Sequence, residues 1–80
     1  MKKSETFRQI QNLKEDTILK LNSYAFDILK RRMTFIKELR SWGDCGWYGS
    51  EELYRYGSKY FVLHEQINAD DENYFSIKAA

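Results

Sequence analysis

Apolar residues recur at helical spacing through the first half of the chain, at Phe7, Ile10, Ile18, Leu21, Ala25, Ile28, Phe35, Leu39 and Trp42, with neither Gly nor Pro between Ser4 and Trp42. The spacing predicts a helix over residues 4–42, capped by Ser4 with Glu5 in its first turn and stopped at Gly43 after Lys37 and Arg40. A second apolar stripe, Leu19, Phe26, Leu29, Met33 and Ile36, lies beside the first on a helical wheel, so residues 18–42 are apolar over about 200° where a helix on one sheet needs little more than ~100°. Such a rod would be about 57 Å long, against a radius of gyration near ~12 Å for a domain of this size. Two arrangements would resolve the mismatch. The helix kinks near Asn22-Ser23, or a second subunit covers it through Phe26, Leu29, Met33 and Ile36.

After Gly43 the period shortens. Nine of the thirteen aromatic residues lie from Trp42 to Phe75, and Gly43, Gly46 and Gly49 punctuate a segment read as a loop over residues 43–50. An antiparallel β-meander is expected over residues 52–78. In Lys59–Ile67, alternation sets Phe61, Leu63 and Ile67 on one face and Tyr60, Val62, His64 and Gln66 on the other. Asn68–Asn73 reads as a polar turn, and the chain returns through Tyr74–Lys78 with Phe75 and Ile77 inward. Leu53–Tyr56 suits a first strand ended by a two-residue turn at Gly57-Ser58, or a short helix started by Ser50-Glu51-Glu52. The expected fold is α+β in one domain: a long N-terminal amphipathic helix followed by a meander of two to three strands.

Composition narrows the class. With 42% hydrophobic and 31% charged residues in 80, the chain falls among ordinary globular proteins. No stretch reaches the ~20 apolar residues of a membrane span, and Lys2-Lys3 is not followed by an apolar export segment. With Cys45 the lone cysteine, the expectation is a cytoplasmic protein without internal disulfide, metal or cofactor. Residues 1–42 carry ten Lys/Arg against five Asp/Glu, and residues 43–80 carry three against seven. That division can close on itself, pair two copies antiparallel, or present each sign to a different partner.

Candidate chemistry is sparse. The glycines of Trp42–Gly49 leave a helix C-terminus, where an anion is unwelcome, so the segment reads as a turn capped by Trp42 and Trp47, with a small-molecule or peptide pocket as the alternative. Cys45 and His64 supply the residue types of a nucleophile and base without any surrounding signature, and no enzyme is expected. Asn68, Asp70, Asp71 and Glu72 lack the spacing of a calcium loop and read as a solvated turn. Arg32 falls inside the apolar arc and would need a carboxylate. The preferred reading is a homodimeric interaction module, a regulator or inhibitor that binds a larger protein through Trp47, Tyr48, Tyr54, Tyr56 and Tyr60. The alternative is a nucleic-acid-binding regulator using Lys30, Arg31, Lys37 and Arg40 on phosphates.

Overall fold

Asn22 is where the long-helix reading breaks. In the computed structural model, which describes residues 8–14, 16–68 and 73–80, the chain before Asn22 is extended and the chain after it is helical. Strand β1 (Ile18–Leu21) leads directly into helix α1 (Ser23–Arg32). The Asn22 side chain caps α1 by accepting the Ala25 backbone N–H at 2.7 Å, which satisfies one of the orphan donors of the first turn. Met33 ends the helix in an extended conformation, and Lys30, Arg31 and Arg32 occupy the last turn. There they complement the negative end of the helix dipole. Arg32 is exposed in that turn, because the helix ends before the apolar arc could bury it.

Among the described residues four strands follow: β2 (Thr34–Asp44), β3 (Trp47–Tyr56), β4 (Lys59–Asn68) and β5 (Tyr74–Ala79). With β1 they form a single antiparallel sheet in the order β1-β5-β4-β3-β2. Among the described residues the fold is therefore mainly β, a five-stranded sheet with the ten-residue helix α1 and a helical turn at residues 8–11, and not a helix over residues 4–42 followed by two or three strands. Residues 34–42, expected as the helix's second half, are an edge strand. Their β-branched and aromatic cluster Thr34-Phe35-Ile36 suits a pleated ladder better than a helix interior.

The segment expected as a loop over residues 43–50 is mostly strand as well. It reduces to a two-residue turn, Cys45-Gly46, with Gly46 at φ 89°. Leu53–Tyr56 lies within β3, and the β3–β4 turn is Gly57-Ser58 with Gly57 at φ 64°. Both glycines adopt a left-handed conformation that a side chain would strain. The Ser4 cap, Phe7 and turn residues 69–72 lie outside the described residues, and with them Asp70, Asp71 and Glu72.

Helix α1 connects opposite edges of the sheet, so it crosses one face, and among the described residues the other face has no helix over it. The covered face holds the core: Leu21, Ala25, Phe26, Leu29, Met33, Tyr54, Phe61, Leu63, Phe75 and Ile77, closed by Ile10 from the helical residues 8–11. Leu29, Ile77 and Ile10 are fully buried, and each such side chain contributes about 1.5–3 kcal/mol relative to exposure. Phe26, Leu29 and Met33 spend their apolar surface inside the protomer. Ile36, the fourth residue expected to pack with them, sits on β2 and is exposed. The radius of gyration is 12.5 Å, and no described element overhangs as a rod of about 57 Å would have. Among the described residues no helix is long and apolar enough to cross a membrane.

Candidate basic and aromatic sheet face

Strand alternation decides which side chains reach the helix-free face. Taking the register outward from the buried residues, that face carries Ile18 and Lys20 of β1, Tyr74, Ser76 and Lys78 of β5, and Tyr60, Val62, His64 and Gln66 of β4. It also carries Trp47, Gly49, Glu51, Leu53 and Arg55 of β3, with Thr34, Lys37, Arg40, Trp42 and Asp44 of β2. Charge is partitioned by face. Among the described strand residues, Lys20, Lys37, Arg40, Arg55 and Lys78 oppose Asp44 and Glu51 on the open side, whereas the helix side carries Glu38, Glu52 and Glu65 against Lys59.

Both of these open-face carboxylates are engaged. The Asp44 side chain accepts the Cys45 backbone N–H at 2.7 Å. Glu51 lies between two donors: Arg40 Nε contacts its Oε1 at 2.6 Å and His64 Nδ1 contacts its Oε2 at 3.0 Å. The Arg40 hydrogen bond is the main reason that the Glu51 carboxyl sits below its ordinary pKa, with His64 adding to it and burial opposing it. This carboxylate is therefore ionised at neutral pH, and the donor on His64 Nδ1 is held by an acceptor-only group.

Aromatic rings and cations interleave across the face. Trp42 packs on His64 with centroids 5.4 Å apart, and His64 meets Tyr74 edge-on at 5.6 Å. The Arg40 guanidinium lies 4.9 Å from the Trp42 ring centre, and the Lys20 ammonium 5.6 Å from that of Tyr74, both within cation–π range. Trp47 is 39% exposed, Tyr60 47% and Tyr74 37%. Gly49 makes this arrangement fit. A Cβ there would lie 2.6 Å from two atoms of the Trp42 indole, so the absent side chain is the seat of the ring.

The structure separates the residues singled out in the sequence. Of the five aromatic contact candidates, Trp47 and Tyr60 reach the open face. Tyr48 is exposed on the opposite side of the β2–β3 hairpin, Tyr56 is half-buried against the core, and Tyr54 is buried. Of the four basic candidates, Lys37 and Arg40 reach the open face. Lys30 stays on the helix side, 3.9 Å from Glu52 and over the Phe26 ring, and Arg31 pairs with Asp27 at 3.1 Å. Cys45 is exposed in the β2–β3 turn, beyond the Asp44–Trp47 pair, whereas His64 pairs with Glu51, further along β3. They do not form a site together. Among the described residues no group of His, Cys, Asp and Glu could hold a metal ion. Sequence reasoning missed Lys20, Arg55, Lys78 and Tyr74, whose common signal was even spacing opposite buried neighbours.

The dimer expectation loses its premise, because it rested on the over-wide apolar rod. The free edge of β2 does expose Phe35, Ile36 and Leu39. It also carries two register shifts and the charges of Lys37, Glu38 and Arg40, features that discourage edge-to-edge pairing. No protein-family model, curated protein or solved structure matches the chain.

Proposed function

We propose that the open sheet face binds single-stranded nucleic acid without catalysis. The observation that carries this reading is the coincidence, among the described residues of one uncovered face, of five cations against two engaged carboxylates with exposed Trp47, Tyr60 and Tyr74. Excess positive charge suits a phosphate backbone and repels a second copy of the same face. Rings spaced among the cations give unpaired bases something to stack on, which a duplex, whose bases are already stacked, cannot use. This reading places the phosphate contacts on the sheet face and not on helix α1, which packs on the opposite side of the sheet with Lys30 beside Glu52. The exposed, unpaired Cys45 thiol fits a reducing, intracellular setting.

The test is fluorescence anisotropy with labelled oligo-dT of about twelve nucleotides, titrated at several salt concentrations. Affinity should fall with salt at a slope of about −0.7 per neutralised phosphate, and Arg55→Ala or Lys78→Ala should each reduce that slope by about one contact. Tyr60→Ala should cost about 1–3 kcal/mol of binding and leave the slope alone. Binding that is insensitive to salt, that poly-glutamate displaces as well as oligo-dT does, or that suffers equally from Lys30→Ala and Arg31→Ala would rule the reading out. A protein-contact reading draws on a different observation, the exposed Phe35, Ile36 and Leu39. Sedimentation separates it, since a stable dimer abolished by Leu39→Lys would favour it.

A further inference from the structure

We propose that a hollow over Ser76 receives one unstacked guanine of the strand held on the open face, the Glu51 carboxylate accepting from its Watson–Crick donors and Lys78 donating to its carbonyl. This rests on the single-strand reading above. The hollow has a simple origin. Ser76 lies in β5, flanked along the strand by Tyr74 and Lys78 and across it by Lys20 and His64, so one small side chain is ringed by long ones. The result is a cavity of about 190 Å³ lined by Ile18, Glu51, Val62, His64, Tyr74, Ser76 and Lys78. That is smaller than the ~300–1,000 Å³ of sites for drug-sized ligands and suits a single heterocycle.

Its chemistry is asymmetric. Ile18, Val62 and the Tyr74 ring supply apolar and π surface, and among the polar groups of the lining Glu51 is the one anion, fixed in place. Glu51 is held by Arg40 and His64, one donor on each oxygen, and an ionised carboxylate has about four lone-pair sites, so two remain for a ligand. An acceptor-only group of this kind selects a base edge with adjacent donors. Guanine offers two, its ring N–H and exocyclic amine, while adenine, cytosine and thymine each place an acceptor beside any donor on that edge. The guanine carbonyl then needs a donor, and the Lys78 ammonium has no acceptor capacity of its own.

The experiment compares oligo-dT carrying one central guanine with the same strand carrying adenine, by competition anisotropy. Wild-type protein should prefer the guanine strand by on the order of ten-fold, the scale of one bidentate base contact. Glu51→Gln replaces one acceptor oxygen with a donor and should abolish the preference while oligo-dT still binds. Ser76→Val should do the same by filling the floor of the hollow, with a thermal melt of each variant to show that it folds. Equal affinity for the two strands in the wild type overturns the pocket alone, as does a preference that survives both substitutions. Failure of plain oligo-dT to bind overturns the face reading and the pocket with it.

Discussion

Gly49→Ala tests how the open face is assembled. A Cβ at this position would lie 2.6 Å from Cε2 and Cζ2 of Trp42 and 2.8 Å from the backbone carbonyl oxygen of Glu65, where ordinary contact begins at 3.4 Å. The indole must therefore retreat by about 0.8 Å, the difference between 3.4 and 2.6 Å, and the β4 backbone by about 0.6 Å, the difference between 3.4 and 2.8 Å. The indole is a side chain and can swing. The carbonyl belongs to the ladder between β3 and β4 and cannot move without disturbing its neighbours. Overpacking of this kind costs about 1–3 kcal/mol, and in a domain of this size each kcal/mol lowers Tm by about 4–8 °C. Gly43→Ala is the control, because its nearest neighbour would be the Tyr48 Cβ at 3.5 Å, and it should stay within about 0.5 kcal/mol of wild type. In a Trp42→Ala background the indole clash is gone but the Glu65 carbonyl remains, so Gly49→Ala should still destabilise, by less. Thermal melts of the four variants decide it. If Gly49→Ala melts with the Gly43→Ala control, the ring is not seated over the glycine and the packing of Trp42 on His64 falls with it.

The fold makes two further outcomes testable. Asn22→Ala removes the acceptor for the Ala25 N–H and should cost about 1 kcal/mol in urea denaturation, whereas Asn22→Asp should retain most of the stability; equal losses would mean that the cap is not what starts α1. Tyr54 is pushed from 10.0 to about 12, first by burial and then by the Glu52 and Glu65 carboxylates. Its raised folded pKa means that the neutral phenol is favoured in the fold, so the stability this gives is complete below pH 10 and is lost as pH rises through about 12. Tyr54→Phe, which cannot ionise, should show a flatter stability profile between pH 10 and about 12; parallel profiles would show that Tyr54 does not govern alkaline unfolding.

The faces of β4 and β5 were legible in the sequence, because period-2 alternation is intact there: Phe61, Leu63, Phe75 and Ile77 are inward, and Tyr60 and His64 outward. The two-residue turn at Gly57-Ser58 was one of two readings left open there, its signal being the Gly-Ser pair between aromatic runs. Strand β2 was not, and its bulges explain why. The register slips between Phe35 and Lys37 and again between Glu38 and Arg40, and each slip inserts a residue that shifts the phase of alternation. Phe35, Leu39 and Trp42 stand four and three residues apart, which mimics helical spacing, yet Phe35 faces the helix side, Trp42 the open side and Leu39 sits at a bulge. As an edge strand, β2 also lacks the burial that would have marked an inward face: it is exposed at every position but Trp42. Asn22 was recognisable as a breaking point, but an N-cap constrains only the helix on its C-terminal side and leaves the preceding backbone undetermined. The four residues of β1 are too few to display a period.

The division of the sequence into a basic and an acidic half suggests a partner for each half, and the fold dissolves that division. In a strand, parity and not position in the chain assigns a charge to a face. Neighbours of the same sign are parted: Glu51 turns to Arg40 and His64 on the open side, while Glu52 turns to Lys30 and the Tyr54 hydroxyl on the other. Neighbours of opposite sign are parted too, with Lys37 outward and Glu38 on the helix side. The basic half contributes Lys20, Lys37 and Arg40 to the open face and the acidic half contributes Arg55 and Lys78, so cations from both ends of the chain meet on one surface. Most of the described strand carboxylates face the helix side, where Glu52 meets a lysine of α1. A surface of that sign, studded with exposed rings, is what the nucleic-acid reading requires, and it arises from register alone. A one-residue slip of β3 would exchange Glu51 for Glu52 on the open face and take Arg55 from it, which ties the proposed binding to the β2 bulges and the Gly57 turn that hold the register.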